Sequence, residues 1–370
     1  MQFKKSSLVV CLLAVSGLLL MHVSVAHAED GEGAVFVMTN AASGNQIDIF
    51  ARNEDGALRA AGSVSTGGNG SGGTIDPLHS QGSLRLSVDH RWLFAVNAGT
   101  GTISSFAVEG THLRLAGTVS SGGGLPSALA QSDDLLYVLN SGGSGNVTGF
   151  HVSRDGQLAQ IPNSTRNLSG TATSPTSLAF SPNGLFLVVT ETATNSIDVF
   201  RVGHNGILGP IIANSSAGAT PFAAAFAPNG TLIVGNASNS ISSYELEWNG
   251  SLKAVTSELA TDGQATCWDV ITPNGRLVYT ANAGTSNLSG FEIGRNGTLT
   301  PADNTIVASN PAGSTNLDVA TSADGRFLYS LNAGTGAVGA FAIDRDGSLR
   351  SLGPVEGLPA SAGLNGIADF

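Results

Sequence analysis

The sequence predicts an all-β fold: a seven-bladed β-propeller of four-stranded blades, its ring closed by the C-terminal strand. Three observations carry this. An apolar run ends in an aromatic residue seven times, at Phe50, Phe106, Phe150, Phe200, Tyr244, Phe291 and Phe341. Each is followed by a tight polar turn and a leucine, and a repeat of roughly 40–50 residues built from short strands is that of propeller blades. The turns themselves are Asp-Gly, Glu-Gly or Asn-Gly pairs, from Asp55-Gly56 to Asp346-Gly347, the dipeptides of hairpin loops. Finally, glycine makes up 49 of 370 residues, well above the usual ~7%. No stretch sustains a helical apolar period.

The first element lies outside the repeat. Lys4 and Lys5, the apolar stretch 8–20 and the small-x-small triplet Ala26-His27-Ala28 read as a secretory signal peptide over residues 1–28. The propeller is then a single domain over 29–370, and the expected location is secreted or periplasmic. Only Cys267 remains in that domain, so no intramolecular disulfide can form and the fold must rest on its own core. With Lys4 and Lys5 set aside, 14 basic residues face 27 acidic ones, a net −13. That balance argues against nucleic acid and anionic membranes as partners.

Blade one begins with what reads as a second strand at 35–39, and its missing inner strand is supplied by the C-terminal hexapeptide Asn365-Gly366-Ile367-Ala368-Asp369-Phe370. Closure of this kind removes free sheet edges. Blade four shows the unit most clearly. It has an inner strand at 176–180, the turn Ser181-Pro182-Asn183-Gly184, a second strand at 186–190, a third at 197–200 and an outer strand at 208–213. The first turn recurs at Asn229-Gly230, Asn274-Gly275 and Asp324-Gly325, and in weaker form at Asp89-His90 and Asp133-Asp134. Runs such as Phe186-Leu187-Val188-Val189 do not alternate, as expected of strands buried on both faces.

This geometry sorts the loops onto a turn face and an opposite, flap face. The flap face carries a ring of Asn40, Asn97, Asn140, Glu191, Asn236, Asn282 and Asn332, one at the end of each second strand. It also carries the longest loop, 65–81, which is glycine-rich and reads as a mobile flap.

The stretch Asp324-Gly325-Arg326-Phe327-Leu328-Tyr329 running on to Asn332 resembles the repeat of the lactonase-type seven-bladed propellers. So do Asn274-Gly275-Arg276-Leu277-Val278-Tyr279 with Asn282, and Ser181-Pro182-Asn183-Gly184. That family includes 6-phosphogluconolactonase of the propeller type and 3-carboxymuconate cyclase, with related YVTN-type repeats. The resemblance covers 34–370 and implies a lactonase-like hydrolase. The chain departs from the family at two places. Where the family's enzymes carry Pro-His-x-His, the sequence reads Ser174-Pro175-Thr176-Ser177; where an inner strand often carries Glu and His, it reads Cys267-Trp268-Asp269-Val270.

Candidate chemistry therefore rests on residues read individually. Glu191 breaks the Asn ring and reads as a rim general base or metal ligand, or as a hydrogen-bonded rim carboxylate. His79, ahead of an inner strand, reads as a general acid or base, or as a solvated flap residue. Arg85, Asp269, Asp318 and Asp369 fall on the inner strands of neighbouring blades two, six, seven and one. They form either a polar channel sector that orients a ligand, or a buried ion pair of Arg85 with Asp369, or failing that Asp318. Asn97, Asn140, Asn236, Asn282, Asn332 and Trp268 are candidate ligand contacts, or turn and packing residues. A ligand is expected at the flap-face mouth of the channel. Three functions stay open: hydrolysis of a small cyclic ester, non-catalytic binding of a ligand or protein, and a Ca²⁺-assisted lactonase using Glu191, Asn236, Asn282 and an inner-strand Asp. No cofactor other than Ca²⁺ is expected, and the protein is expected to be a monomer with a small-molecule ligand.

Overall fold

The computed structural model describes residues 33–370; the signal peptide expected at 1–28 lies outside the described residues. Seven antiparallel sheets stand around a central channel, each running from an inner to an outer strand. Strands such as Phe186–Glu191 and Leu277–Asn282 are rich in β-branched and aromatic residues, which suit a pleated surface. They are buried along their whole length because neighbouring blades cover both faces. Among the described residues, no helix is long and apolar enough to cross a membrane.

The ring closes as the sequence indicates. Ile367–Asp369 pairs antiparallel with Gly33–Met38, in the register Val35↔Asp369, Phe36↔Ala368 and Val37↔Ile367. The joint is fastened by Arg52 on the third strand of blade one. Its Nε lies 3.4 Å from Asp369 Oδ1, and its Nη2 donates to the Phe370 carbonyl at 2.7 Å. Asp369 thus has a cation, but the cation is Arg52 and not Arg85. Asp369 shares a rung with Val35 and Phe50, so Arg52, two residues on from Phe50 and opposite Gly33, lies on the same face of the blade and reaches it.

The inner turns behave as hairpin chemistry demands. In blade six Asn274 Oδ1 accepts from the Thr272 hydroxyl and the Arg276 amide, and Gly275 takes φ +69°. In blades two and three His90 and Asp133 adopt the same left-handed backbone without glycine, at φ +55° and +50°. Blade three differs in one further respect. Its outer strand is split into Leu158–Gln160 and Arg166–Asn167, both paired with the third strand. Pro162 lies in the gap, where it cannot donate to the ladder.

Blades are stitched to one another by a recurring bond. The hydroxyls of Tyr137, Tyr279 and Tyr329 donate to the turn carbonyls of Gly206, Gly347 and Gly56 in the next blade. Ser105 and Ser243 reach Gly156 and Gly297 in the same way, at 2.7 and 2.6 Å. Tyr329 to Gly56 crosses the closure, so the last seam is tied like the others.

Candidate functional site

The two mouths of the channel are built differently. On the flap face, residues 78–82 of the long loop cross the opening from blade to blade. Ser80 Oγ donates to the Ser127 carbonyl of blade three at 2.8 Å, and the Gln81 amide donates to Thr176 O of blade four at 2.9 Å. The Gln81 side-chain nitrogen donates to Asp269 O of blade six at 2.7 Å and to Asp318 Oδ1 of blade seven at 3.2 Å. Gly82 O receives the Leu129 amide at 2.9 Å. The loop expected to be a mobile flap is therefore a tied plug. Its upstream part is fixed as well, through Asn40 to Ser71 and Gly70 N to Ala41 O.

On the turn face the channel stays open as a cavity of about 480 Å³. Register explains its walls. Three residues before each ring Asn or Glu, the second strands pair with Ile367, Arg85, Ala130, Ala179, Ala225, Val270 and Ala320 of the inner strands. Small aliphatic side chains hold this level of the channel in six blades, and an arginine holds it in the seventh. Arg85, Ala130, Ala179, Ala225 and Val270 all line the cavity, with Phe180 and Phe226 one step nearer the turns. Arg85 is exposed to this space although the channel surrounds it. Among the described residues it has no carboxylate within salt-bridge reach. Crowding by the channel walls lowers its pKa from the ordinary arginine value, and the more distant Asp318 charge opposes that. The ion pair expected of Arg85 does not form with either candidate partner. The short strand turns it into the channel instead of toward a neighbouring sheet.

Two carboxyls lie on the inner strands of blades six and seven. Asp318 accepts from Gln81 Nε2, from Val319 N at 3.0 Å and from Ile367 N at 3.3 Å, and burial raises its pKa to about 6. Asp269 lines the cavity too, but both its side-chain oxygens are shielded; they face the Gly235 backbone of blade five, where any Cβ would lie 2.7 Å from Oδ1. Burial raises its pKa to about 7. Gln81 thus ties the Asp269 backbone to the Asp318 carboxyl across blades six and seven.

The flap-face candidates are held elsewhere. Glu191 is not a rim charge but a fully buried one: Ser169 N and Oγ and Thr194 Oγ1 donate to it, at 3.1, 2.6 and 2.6 Å. It abuts Asp198, whose pKa burial and Glu191 together raise to about 8. His79 is exposed, 3.4 Å from Ser174 Oγ and edge-on to Phe222, and desolvation lowers its pKa. Trp268 donates to Ser80 O at 3.0 Å and packs on Phe222, so it walls the plug. Asn97, Asn140, Asn236, Asn282 and Asn332 are fully buried. Asn97 and Asn282, for example, donate to Ser104 and Ser289 at 2.8 Å, tying second strands to third strands. Glu191, His79 and Arg85 make no contact with one another. Among the described residues, no three His, Cys, Asp or Glu side chains gather in a metal-sized group.

The sequence matches the family profile described as lactonase, 7-bladed beta-propeller, over residues 33–171 and 230–356. The chain belongs to this lactonase family. Similar solved structures share the fold at low identity. A candidate 6-phosphogluconolactonase from Bacteroides uniformis superposes with a TM-score of 0.73 at 19% identity, covering 92% of this chain and 100% of that one. Its counterpart from Bacteroides fragilis gives 0.71 at 19%, covering 93% and 99%. A periplasmic gluconolactonase from Pseudomonas aeruginosa gives 0.69 at 21%, covering 90% and 99%. No curated protein matches the sequence.

Several residues that shape this lactonase-family channel were not legible as such. Gln81 sits in a loop with no repeat to register it. Asp76, which accepts from Asn365 at 3.1 Å and is raised to about 8 by burial, looks like an ordinary loop acid. Asp198 had a weak signal, as an acid between Ile197 and Val199 in the one blade whose ring residue is Glu.

Proposed function

We propose that this propeller hydrolyses a small cyclic ester that enters the channel from the turn face. The observation that carries the reading is Arg85, an unpaired guanidinium set among small aliphatic walls in a cavity of about 480 Å³, within the size range of ligand sites. A fixed cation in such surroundings stabilises the oxyanion formed when water adds to the ester carbonyl. Water adds to the ester carbonyl carbon as the oxyanion forms beside Arg85, and the ring C–O bond breaks as that oxyanion collapses. The added water gives up a proton to bulk water and the ring oxygen takes one from it, at the open mouth of the channel. Asp269 is kept from direct contact with the substrate by its shielded oxygens. The basic and apolar leader at 1–28 and the similar periplasmic gluconolactonase support a location outside the cytoplasm.

Base uptake in a pH-stat with a panel of γ- and δ-lactones tests this. The expected result is saturable turnover that falls about 10²-fold or more in Arg85→Gln. Full activity in Arg85→Gln would refute it. A second reading, binding without turnover, is favoured by the shielded oxygens of Asp269. It predicts Arg85-dependent lactone binding with no base uptake.

A further inference from the structure

A second cleft, of about 310 Å³, opens on the turn face between blades four and five. It shares Pro182, Phe226 and Pro228 with the channel cavity. Its outer wall is Trp248, whose side chain remains 66% exposed. The indole is held in place: the Arg201 guanidinium stacks 4.6 Å from its ring centroid, and Phe186 meets it edge-on at 6.4 Å. The other two tryptophans of the chain, Trp92 and Trp268, are buried. An indole offers an apolar ring face together with a polar N–H, the combination that enriches Trp at interfaces.

The rest of the lining says what would bind. It contains no charged side chain. Asn183 and Asn229 stand at the cleft with their oxygens engaged, the first by Ser181 Oγ and Leu185 N, the second by Thr231 N. Among the described residues nothing accepts from their amide N–H₂ groups, which are left as donors. A flat aromatic with two free carboxamide donors and no charge matches a neutral carbohydrate ring. Such a ring offers a C–H face to the indole and hydroxyl oxygens to the amides. It matches an anion or a cation poorly. We propose that this cleft is a subsite for a neutral pyranose unit, distinct from the Arg85 cavity and continuous with its mouth. It does not require the channel to be catalytic.

Intrinsic fluorescence tests it, because Trp248 is the exposed reporter. Lactose or cellobiose should quench the signal saturably, with a Kd of about 1 mM. Glycerol, which has hydroxyls without a ring face, should not. Asn229→Asp keeps the oxygen that caps Thr231 and removes the donor, so it should weaken binding several-fold. Ligand-observed NMR should show binding lost in Trp248→Ala. Arg85→Gln should bind the sugar as tightly as the parent, which separates this inference from the lactone reading. Absence of quenching by either disaccharide would overturn it, as would NMR binding that survives Trp248→Ala. Concentration-dependent dimerisation abolished by Trp248→Ala would also overturn it, making the face a protein contact.

Discussion

The flap-face mouth and the turn-face mouth of one channel are lined by the same seven inner strands, and they end in opposite ways. At the flap face the plug and its neighbours turn their polar groups to one another: Gln81 bridges blades four, six and seven, and Glu191 collects three donors, while His79 stays exposed. At the turn face a single arginine projects into open space without a partner. The difference teaches where to look for chemistry in a repeat protein. A residue that breaks the consensus and is then fully satisfied is explained by structure; one that breaks it and is left unsatisfied calls for a ligand.

The largest expected effect lies at the seam that holds both mouths. Arg52→Ala removes the clasp on Phe370 O and the cation beside Asp369, a carboxyl that burial raises to about 8, at a cost of about 1.5–3 kcal/mol. Denaturant unfolding measures this, and a loss near zero would show that the strand pairing alone closes the ring. Next come the flap-face ties. Glu191→Ala strands the donors of Ser169 and Thr194 and should cost about 1–3 kcal/mol. Catalytic rate per folded molecule should stay unchanged. Loss of turnover without loss of stability would restore Glu191 to the chemistry.

The pH dependence sharpens the same contrast. Asp76, Asp198, Asp269 and Asp318 have folded-state values of about 8, 8, 7 and 6, above the ~3.9 of an unfolded chain. The folded protein holds protons that the unfolded chain has released. Their contribution is therefore full below about pH 4 and is lost as the pH rises through 6 to 8. Turn-face acids such as Asp89, bonded to Ser87 and Arg91, are shifted down and act oppositely at low pH. The melting temperature should be higher at pH 5 than at pH 8.5, and the reverse order would contradict the burial of these four acids. The smallest effect is expected at Arg85. Removing an unpaired, cavity-facing cation by Arg85→Ala should change stability by less than about 0.5 kcal/mol. A loss of several kcal/mol would reveal a partner for it.

Architecture was legible because it repeats. The Asn-Gly and Asp-Gly turns, the second strands from Phe186–Glu191 to Phe327–Asn332, and the closing Ile367–Asp369 all follow from local patterns read seven times. Side-chain partnerships were less so. A pattern of period two says that Arg85 is on an inner strand but not whether a three-residue strand aims it at a sheet or at the axis. Asp369 was expected to pair with an arginine, yet nothing in sequence separates Arg52 from Arg85. The plug at 78–82 has no repeat partner, and its bonds to blades three, four, six and seven, through backbone and side chains together, come from tertiary placement alone. Glu191 was noticed for the right reason, its departure from Asn. Its burial depends on Ser169, in a loop of blade three that the interrupted outer strand leaves free to fold back.

The most direct test compares the two mouths in one assay. Lactone hydrolysis, or binding where turnover is absent, is measured for the parent, for Arg85→Gln and for His79→Ala, each checked for native melting. The account predicts that Arg85→Gln loses activity or affinity by about 10²-fold while His79→Ala keeps it. Loss confined to His79→Ala, with Arg85→Gln unaffected, would place the site at the flap face and contradict it.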